Sequence, residues 1–227
     1  MRRQVAGCLF RGAGVTFVEL KDETFRQVRE ATGSGVYFST DDIGAAVNAG
    51  YAELSDATEW CEEYVTIDLL KSRPYYDLFA LIGCGFLSIK PGFHEDTNRW
   101  LIPSTVRALD GNDRRWERVV GTPQRVFLRG LRWLGLWPRT TADSGTLKQY
   151  YTRLPVPLCL DTDEPGFPEA YHIGCVHFAL ADLYAQDGET KRALGAWADY
   201  LAIEDSLMLW VNRKIARPHT PVLGGMA

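Results

Sequence analysis

Apolar residues change their spacing twice along this 227-residue chain, and each change marks a different kind of element. In the first part they recur at helical intervals. Ile43, Val47, Tyr51 and Leu54 share one face of a predicted helix, which Thr58 extends less convincingly. Ser39 or Thr40 would cap it, and Asp41 and Asp42 place acids in its first turn. Asn48 and Glu53 lie off that face and are expected in solvent. Upstream, Asp22 predicts the cap of a shorter helix over residues 23–31, stopped at Gly33 and Gly35. The glycine-bearing residues 1–20 read as an arm or an edge strand.

From Tyr64 the interval falls to two. Tyr64, Thr66 and Asp68 alternate with Val65, Ile67 and Leu69, which predicts a strand. Residues 73–77 read as a turn, 81–89 as a second strand loosened by Gly83 and Gly85, and 91–98 as a polar loop. A short helix is expected over 104–109 and a turn over 110–113. Residues 124–128, 131–137 and 146–152 then suggest a meander of short strands, with turns at Gly130 and Gly145.

The pattern turns over again after Leu154. Pro155 and Pro157 favour extended backbone, and Asp161, Asp163, Glu164, Pro165 and Gly166 form an acidic turn. Pro168 suits the first turn of a helix, where Glu169 faces the positive end of the dipole. Between Tyr171 and Ala181 apolar residues fall on every face, so that helix has to be buried. After Gly188 the longest helix is expected, over 189–212, with two apolar stripes. One is Leu194, Trp197, Leu201, Met208 and Val211; the other is Tyr200, Ile203, Leu207 and Trp210. So wide an apolar arc implies contact on two sides, the second being either a core or another subunit. Trp197, Tyr200, Ile203, Leu207 and Trp210 are the candidate subunit interface. Pro218 disfavours helix at Arg217, and Pro221, Gly224 and Gly225 keep the rest extended.

Composition narrows the function. The chain is 46% hydrophobic and 24% charged, which is ordinary for a globular protein of one domain, or of a core domain with an insertion. Its aromatic share of 12%, with seven Trp, suits either a heavy core or an interface. Five cysteines, at 8, 61, 84, 159 and 175, are odd in number and form no CxxC pair, which predicts free thiols in a reducing compartment. Val5 to Cys8 mimics a lipoprotein cleavage box, but the apolar run is too short for a signal peptide. No uncharged run reaches the length of a membrane span, so a soluble protein is expected.

Candidate chemistry is sparse. His172 and Cys175 lie three apart on a predicted helix, but without further ligands the pair reads as core packing, neither metal site nor nucleophile. Asp161, Asp163, Glu164 and Glu169 are accounted for by turn formation and helix charge. No phosphate-binding, zincin or nucleophile-elbow motif is present, so catalytic residues, metal and cofactor are all expected to be none. Charge is unevenly spread. Between Arg107 and Arg153 there are ten basic and four acidic residues, a local +6 that leaves −10 for the remainder of a chain whose net charge is −4. Arg114, Arg115, Arg118 and Arg125 are candidates for contact with a DNA backbone or with an acidic neighbour; a merely solvated face also fits.

One further pattern is a resemblance. Pro157-Leu158, Asp163-Glu164-Pro165, Pro168-Glu169, Tyr171-His172 and the run from Ala179 to Leu183 resemble the C-terminal signature of tailed-phage head-to-tail adaptor (neck, or connector) proteins. Gly121 to Pro123, Leu136 to Pro138, Gly145 to Tyr151, Tyr37 to Ser39 and Asn48 to Leu54 extend it over about residues 20–200, with a loose stretch from Ile82 to Trp116. The resemblance implies an α+β fold: a helical bundle with a β-rich insertion, a long C-terminal helix and an extended C-terminal arm. Residues 1–63 would supply the N-terminal arm and first helices, 64–160 the insertion, 161–214 the helices completing the bundle, and 215–227 the C-terminal arm. It also implies a virion structural protein made in the host cytoplasm and located at the neck. Its partners would be further copies of itself in a twelvefold ring, the portal protein, a tail or neck protein, and passing double-stranded DNA without sequence readout. The arm would dock on the portal through Arg213, Lys214, Ile215, Arg217, Val222 and Leu223. The competing class is a small-molecule-binding or enzymatic α+β domain with its pocket near His172 and Cys175.

Overall fold

The computed structural model describes residues 14–32, 38–71, 73–83, 85–112, 115–141 and 145–215. The chain is mixed α+β and divides into two compact units. One is Cys61–Leu154; the other joins residues 14–60 to 155–215.

The helical unit begins earlier than expected. Glu19 accepts hydrogen bonds from the backbone N–H and the hydroxyl of Thr16, both at 2.8 Å, so Thr16 heads α1 (Phe17–Thr32) and Asp22 lies inside the helix. The expected arm or edge strand over residues 1–20 is therefore helical from Phe17; residues 1–13 lie outside the described residues. Helix α2 (Thr40–Thr58) is capped by Ser39, which exchanges hydrogen bonds with Asp42 at 3.0 and 3.2 Å. The Ser39 hydroxyl, donating at 2.7 Å, and the Ser39 N–H hold the Asp42 carboxyl below its usual range. Ile43, Val47, Tyr51, Leu54 and also Thr58 are buried along one face. Asn48 corrects the solvated reading. Its amide donates to the Leu158 carbonyl at 3.0 Å and its oxygen accepts from the Leu158 N–H at 2.8 Å.

A single 3-10 turn, Glu169–Tyr171, follows Pro168 and leads into α5 (Ile173–Gln186). Gly188 at φ +78° then reverses the chain into the last helix, α6 (Thr190–Ile215). Helix α5 packs against α1, α2 and α6. That position requires an apolar residue on every face, as its sequence has. Leu20, Val47, Leu54, Val176, Leu183 and Leu207 belong to the shared core.

The second unit holds β1 (Glu62–Asp68), β2 (Tyr75–Asp77), α3 (Leu78–Ile82), β3 (Phe86–His94), β4 (Arg99–Thr105), α4 (Val106–Asn112), β5 (Arg125–Arg129), β6 (Trp133–Trp137) and β7 (Thr146–Arg153). Its seven strands are ordered β1-β7-β3-β4-β5-β6-β2, antiparallel except for β4 with β5. Ile67, Leu101, Val126, Leu134 and Leu147 fill its core.

Four expectations fail here. The meander is not formed: β5 and β6 make a hairpin at Gly130 (φ +63°), but β7 crosses away to lie between β1 and β3. The strand expected at 81–89 is displaced, because Asp77 accepts from the N–H groups of Phe79 and Ala80 and caps a short helix. The loop expected at 91–98 is largely strand. Pro91 sits at a register shift between Ile89 and Gly92, where its missing N–H leaves no ladder bond unmade. The turn expected over 110–113 is likewise helical to Asn112.

Candidate interaction surfaces

The basic section is assembled by the β5–β6 hairpin and its neighbours. The Arg125 guanidinium lies over Trp137 at 5.4 Å, Arg129 over Tyr75 at 5.4 Å and Arg132 over Trp133 at 5.2 Å. Arg129 also pairs with Glu117 at 3.2 Å, and Arg132 grips Asp77, holding that carboxyl below its usual range. Lys148 pairs with Glu95 at 2.6 Å and Arg153 with Glu63 at 3.5 Å. Much of the local positive charge is therefore spent within the subunit. Arg115 precedes and Arg118 ends the 3-10 turn Trp116–Arg118, and both are exposed while Trp116 is buried. Arg114 lies outside the described residues.

Helix α6 divides its apolar residues differently from the two stripes read in the sequence. Tyr200 and Leu207 are fully buried in the subunit's own core, so these two of the five interface candidates are turned inward. Ile203 and Trp210 are half-buried, the latter against Tyr171. Trp197 is 40% exposed, and with Leu194 (64%), Leu201 (41%) and Leu209 (58%) it makes the outward apolar face. Leu209 belonged to neither predicted stripe. Arg213 and Lys214 are exposed in the last turn, while Arg217, Val222 and Leu223 lie outside the described residues, as does the Ile215 side chain.

A second aromatic cluster had no counterpart in the sequence reading. Tyr64 of β1, Tyr150 of β7 and Phe93 of β3, all half-buried, and Trp100 of β4, 58% exposed, form a chain of ring contacts across four strands. Adjacent rings are 5.7 Å apart for Tyr64–Tyr150, 5.6 Å for Trp100–Tyr150 and 5.2 Å for Phe93–Trp100. The register makes this row, since Tyr64 is opposite Tyr150 and Phe93 opposite Trp100. Treating 91–98 as loop hid it.

The groups weighed for chemistry are packed. His172 donates through Nε2 to the Phe167 carbonyl at 2.8 Å, so that ring nitrogen is engaged by the backbone. Cys175 is wholly buried, and burial pushes its thiol up to about 12, so it carries no thiolate at neutral pH. The acidic turn serves α1: the carbonyls of Asp163 and Asp161 accept the N–H groups of Phe17 (2.7 Å) and Val18 (3.2 Å), and the Asp161 carboxylate meets Lys21 at 2.7 Å. Two otherwise unpaired helix N–H groups are thereby satisfied. Among the described residues no three His, Cys, Asp or Glu side chains are placed to hold a metal ion, and no helix is long and apolar enough to cross a membrane.

Charge separates between the units. Cys61–Leu154 contains fourteen basic and ten acidic residues, a net +4; residues 14–60 and 155–215 contain seven basic and nineteen acidic, a net −12. No curated protein sequence matches the chain. A family model described as SU10 adaptor protein does, over residues 15–220, which covers nearly all the described residues and the motifs that carried the resemblance. The chain belongs to the SU10 adaptor protein family, a family of phage head-to-tail adaptors.

Proposed function

We propose that this protein is a subunit of the adaptor ring that joins the portal to the tail and extends the DNA channel at the virion neck. The observation that carries the reading is the outward face of α6. Leu194, Trp197, Leu201 and Leu209 are exposed in a row on one helix of a chain from a structural adaptor family. Such a face is suited to a repeated contact with other copies, and a heterologous contact repeated around an axis closes a ring, here twelvefold. In this reading α1, α2, α5 and α6 form the bundle, the sheet unit is the insertion between α2 and α5, and residues 215–227 are the arm that docks on the portal. Arg213 and Lys214, with Ile215, Arg217, Val222 and Leu223 beyond them, bring cations and apolar side chains to that contact. Arg114, Arg115, Arg118 and Arg125 belong to the channel wall or to the contact between copies, and the DNA passes without sequence readout. The protein performs no catalysis; a small-molecule site at His172 and Cys175 draws no support from a protonated, buried thiol and an imidazole bonded to backbone. Cryo-electron microscopy of purified virions tests the assignment. Density for this chain as a ring between portal and tail is the expected result; its placement in the capsid shell or the tail tip would refute it.

A further inference from the structure

The seven-stranded sheet ends in two unequal edges. At one, β2 is three residues long and passes directly into α3, which leaves little backbone to pair. At the other, β1 runs for seven residues and is matched with β7 at every one, without a bulge. The bonds just beyond its two ends fix the alternation. The Arg153 N–H donates to the Cys61 carbonyl at 3.1 Å, and the Leu69 N–H to the Gly145 carbonyl at 2.8 Å. Glu63, Val65 and Ile67 therefore bond to β7, and the N–H and C=O groups of Tyr64, Thr66 and Asp68 point away from it. Among the described residues β1 pairs with no other strand.

Such an edge is a template for one more strand, and proteins ordinarily blunt it with Lys, Pro or a bulge. Glu62–Asp68 has none of these, and Tyr64, Val65, Thr66 and Ile67 are good strand formers. Charge narrows what can be added. Glu62, Glu63 and Asp68 stand on β1 without a base, and Glu63 is answered from β7 by Arg153 at 3.5 Å. Pairing with the same edge of a second copy would set acid against acid. A basic segment free of proline fits instead. Of the two ends of the chain, residues 216–227 contain Pro218, Pro221 and a single arginine. Residues 1–13 contain no proline and no acid, but Arg2, Arg3 and Arg11 with Val5, Leu9 and Phe10.

The point of attachment also suits. The Phe17 N–H, at the head of α1, is held by the Asp163 carbonyl at 2.7 Å. Phe167, a little further along the same turn, packs on Trp60 with ring centroids 5.8 Å apart, and Cys61 alone separates Trp60 from β1. The segment before α1 and the approach to β1 are thus moored on one stretch of chain. At about 3.3 Å per residue, residues 1–13 reach roughly 43 Å, about twice the length of β1. Being tethered, they meet the edge at an effective concentration on the order of millimolar, ahead of a separate chain. We propose that residues 1–13 add to the free edge of β1 of their own chain as a further strand, with their arginines beside Glu62 and Asp68. The strand seals an edge that would otherwise join chains through backbone, and leaves copies to meet through side-chain surfaces.

Hydrogen exchange on the full-length subunit tests this residue by residue. The amides of Glu63, Val65 and Ile67 are protected by β7 in any case; those of Tyr64, Thr66 and Asp68 are protected only by an added strand. Both sets are expected to exchange slowly in wild type. Deleting residues 2–11 is expected to speed the outward set by about tenfold or more and leave the inward set unchanged. A synthetic peptide of residues 1–13 is expected to restore the protection. T66P removes an outward N–H and no bond to β7, and is expected to speed Tyr64 and Asp68 alike without shortening the chain. Outward amides that exchange freely in wild type, or stay slow after the deletion, would overturn the proposal. If the deletion speeds the inward set too, T66P decides, and outward amides still slow in it would overturn the proposal. Protection that rises with protein concentration would also overturn it, by showing that the strand comes from a second copy.

Discussion

Gly50 offers a quantitative test of the helical core. It lies in α2 where α5 passes, and a Cβ placed there would stand 2.9 Å from the Cys175 carbonyl oxygen, 2.9 Å from Phe178 Cβ and 3.1 Å from Cys175 Cα. None of these atoms is the free end of a flexible side chain, so G50A has to push the two helices apart. Overpacking of this kind costs about 1–3 kcal/mol, and the rigid neighbours put Gly50 in the upper half of that range. Against it stands the helix propensity of Ala, worth about 1 kcal/mol over Gly. The expected net effect is a destabilisation of about 1–2 kcal/mol. Gly195 in α6 is the control, because nothing lies within 4 Å of its added Cβ. There only the propensity gain remains, and G195A should stabilise by up to about 1 kcal/mol. The two compact units can unfold separately, so hydrogen exchange at amides of α2, α5 and α6 is a better readout than one global melting curve. G50A protected as well as wild type would refute the close α2–α5 approach. G195A less protected than wild type would refute the open environment assigned to that face of α6.

Further outcomes follow from single contacts. Hydrogen bonds from Arg26 and Gln27 hold the Glu23 carboxyl down to about 2, below its ordinary 4.5. Its contribution is complete above the ordinary value and is lost as pH falls through the folded one, so wild-type α1 should lose protection between pH 4.5 and about 2. E23Q should start lower and lack that dependence; a gap between the two proteins that is constant with pH would count against it. C175A and H172A should each cost about 1–3 kcal/mol in denaturant unfolding, as packed core residues do. Stoichiometric zinc in protein purified without added metal would show that packing is not their whole role. R115E with R118E should leave the subunit folded and weaken ring assembly; normal rings that fail to retain DNA would move these arginines to the channel. Truncation after Arg213 should leave a folded subunit that no longer co-sediments with portal-bearing, tail-less heads, and equal binding by the shortened chain would make the arm dispensable.

What could be read in the sequence depended on whether the signal was local. The α2 face and its Ser39 cap are set by neighbours three and four residues apart, and both are found in place. The burial of α5 was legible because apolar residues on all faces leave no other option. Helix α1 was equally legible in principle: Thr16 and Glu19 have capping-box spacing, but the glycines before them drew attention to an arm. Sheet order was not legible. Nothing near Thr146–Arg153 announces that its partners are Glu62–Asp68 and Phe86–His94 rather than the adjacent hairpin, because pairing is settled by long-range packing. The aromatic row was lost with it, since rings on four strands become neighbours only once the register is known. On α6, a wide apolar arc signalled two contacts but not which residues served which; α5 claims Tyr200 and Leu207, and that fixes Leu194, Leu201 and Leu209 outside.

The charge separation constrains how copies can meet. A contact that sets each unit against its own equivalent would bring a net −12 against −12 or a net +4 against +4. Electrostatics favours a contact that sets the acidic helical unit of one copy against the basic sheet unit of another, and repeated head to tail such a contact propagates around an axis. The apolar face of α6 gives the opposite salt response, because burying Leu194, Leu201 and Leu209 does not weaken when charges are screened. At physiological ionic strength screening acts over about 8 Å, so contacts at close range survive while long-range steering fades. Added salt should therefore slow the joining of subunits more than it loosens rings already formed. A heterologous ring held mainly by apolar contact would behave in that way, whereas one held by surface ion pairs would fall apart at the same salt that slows its formation.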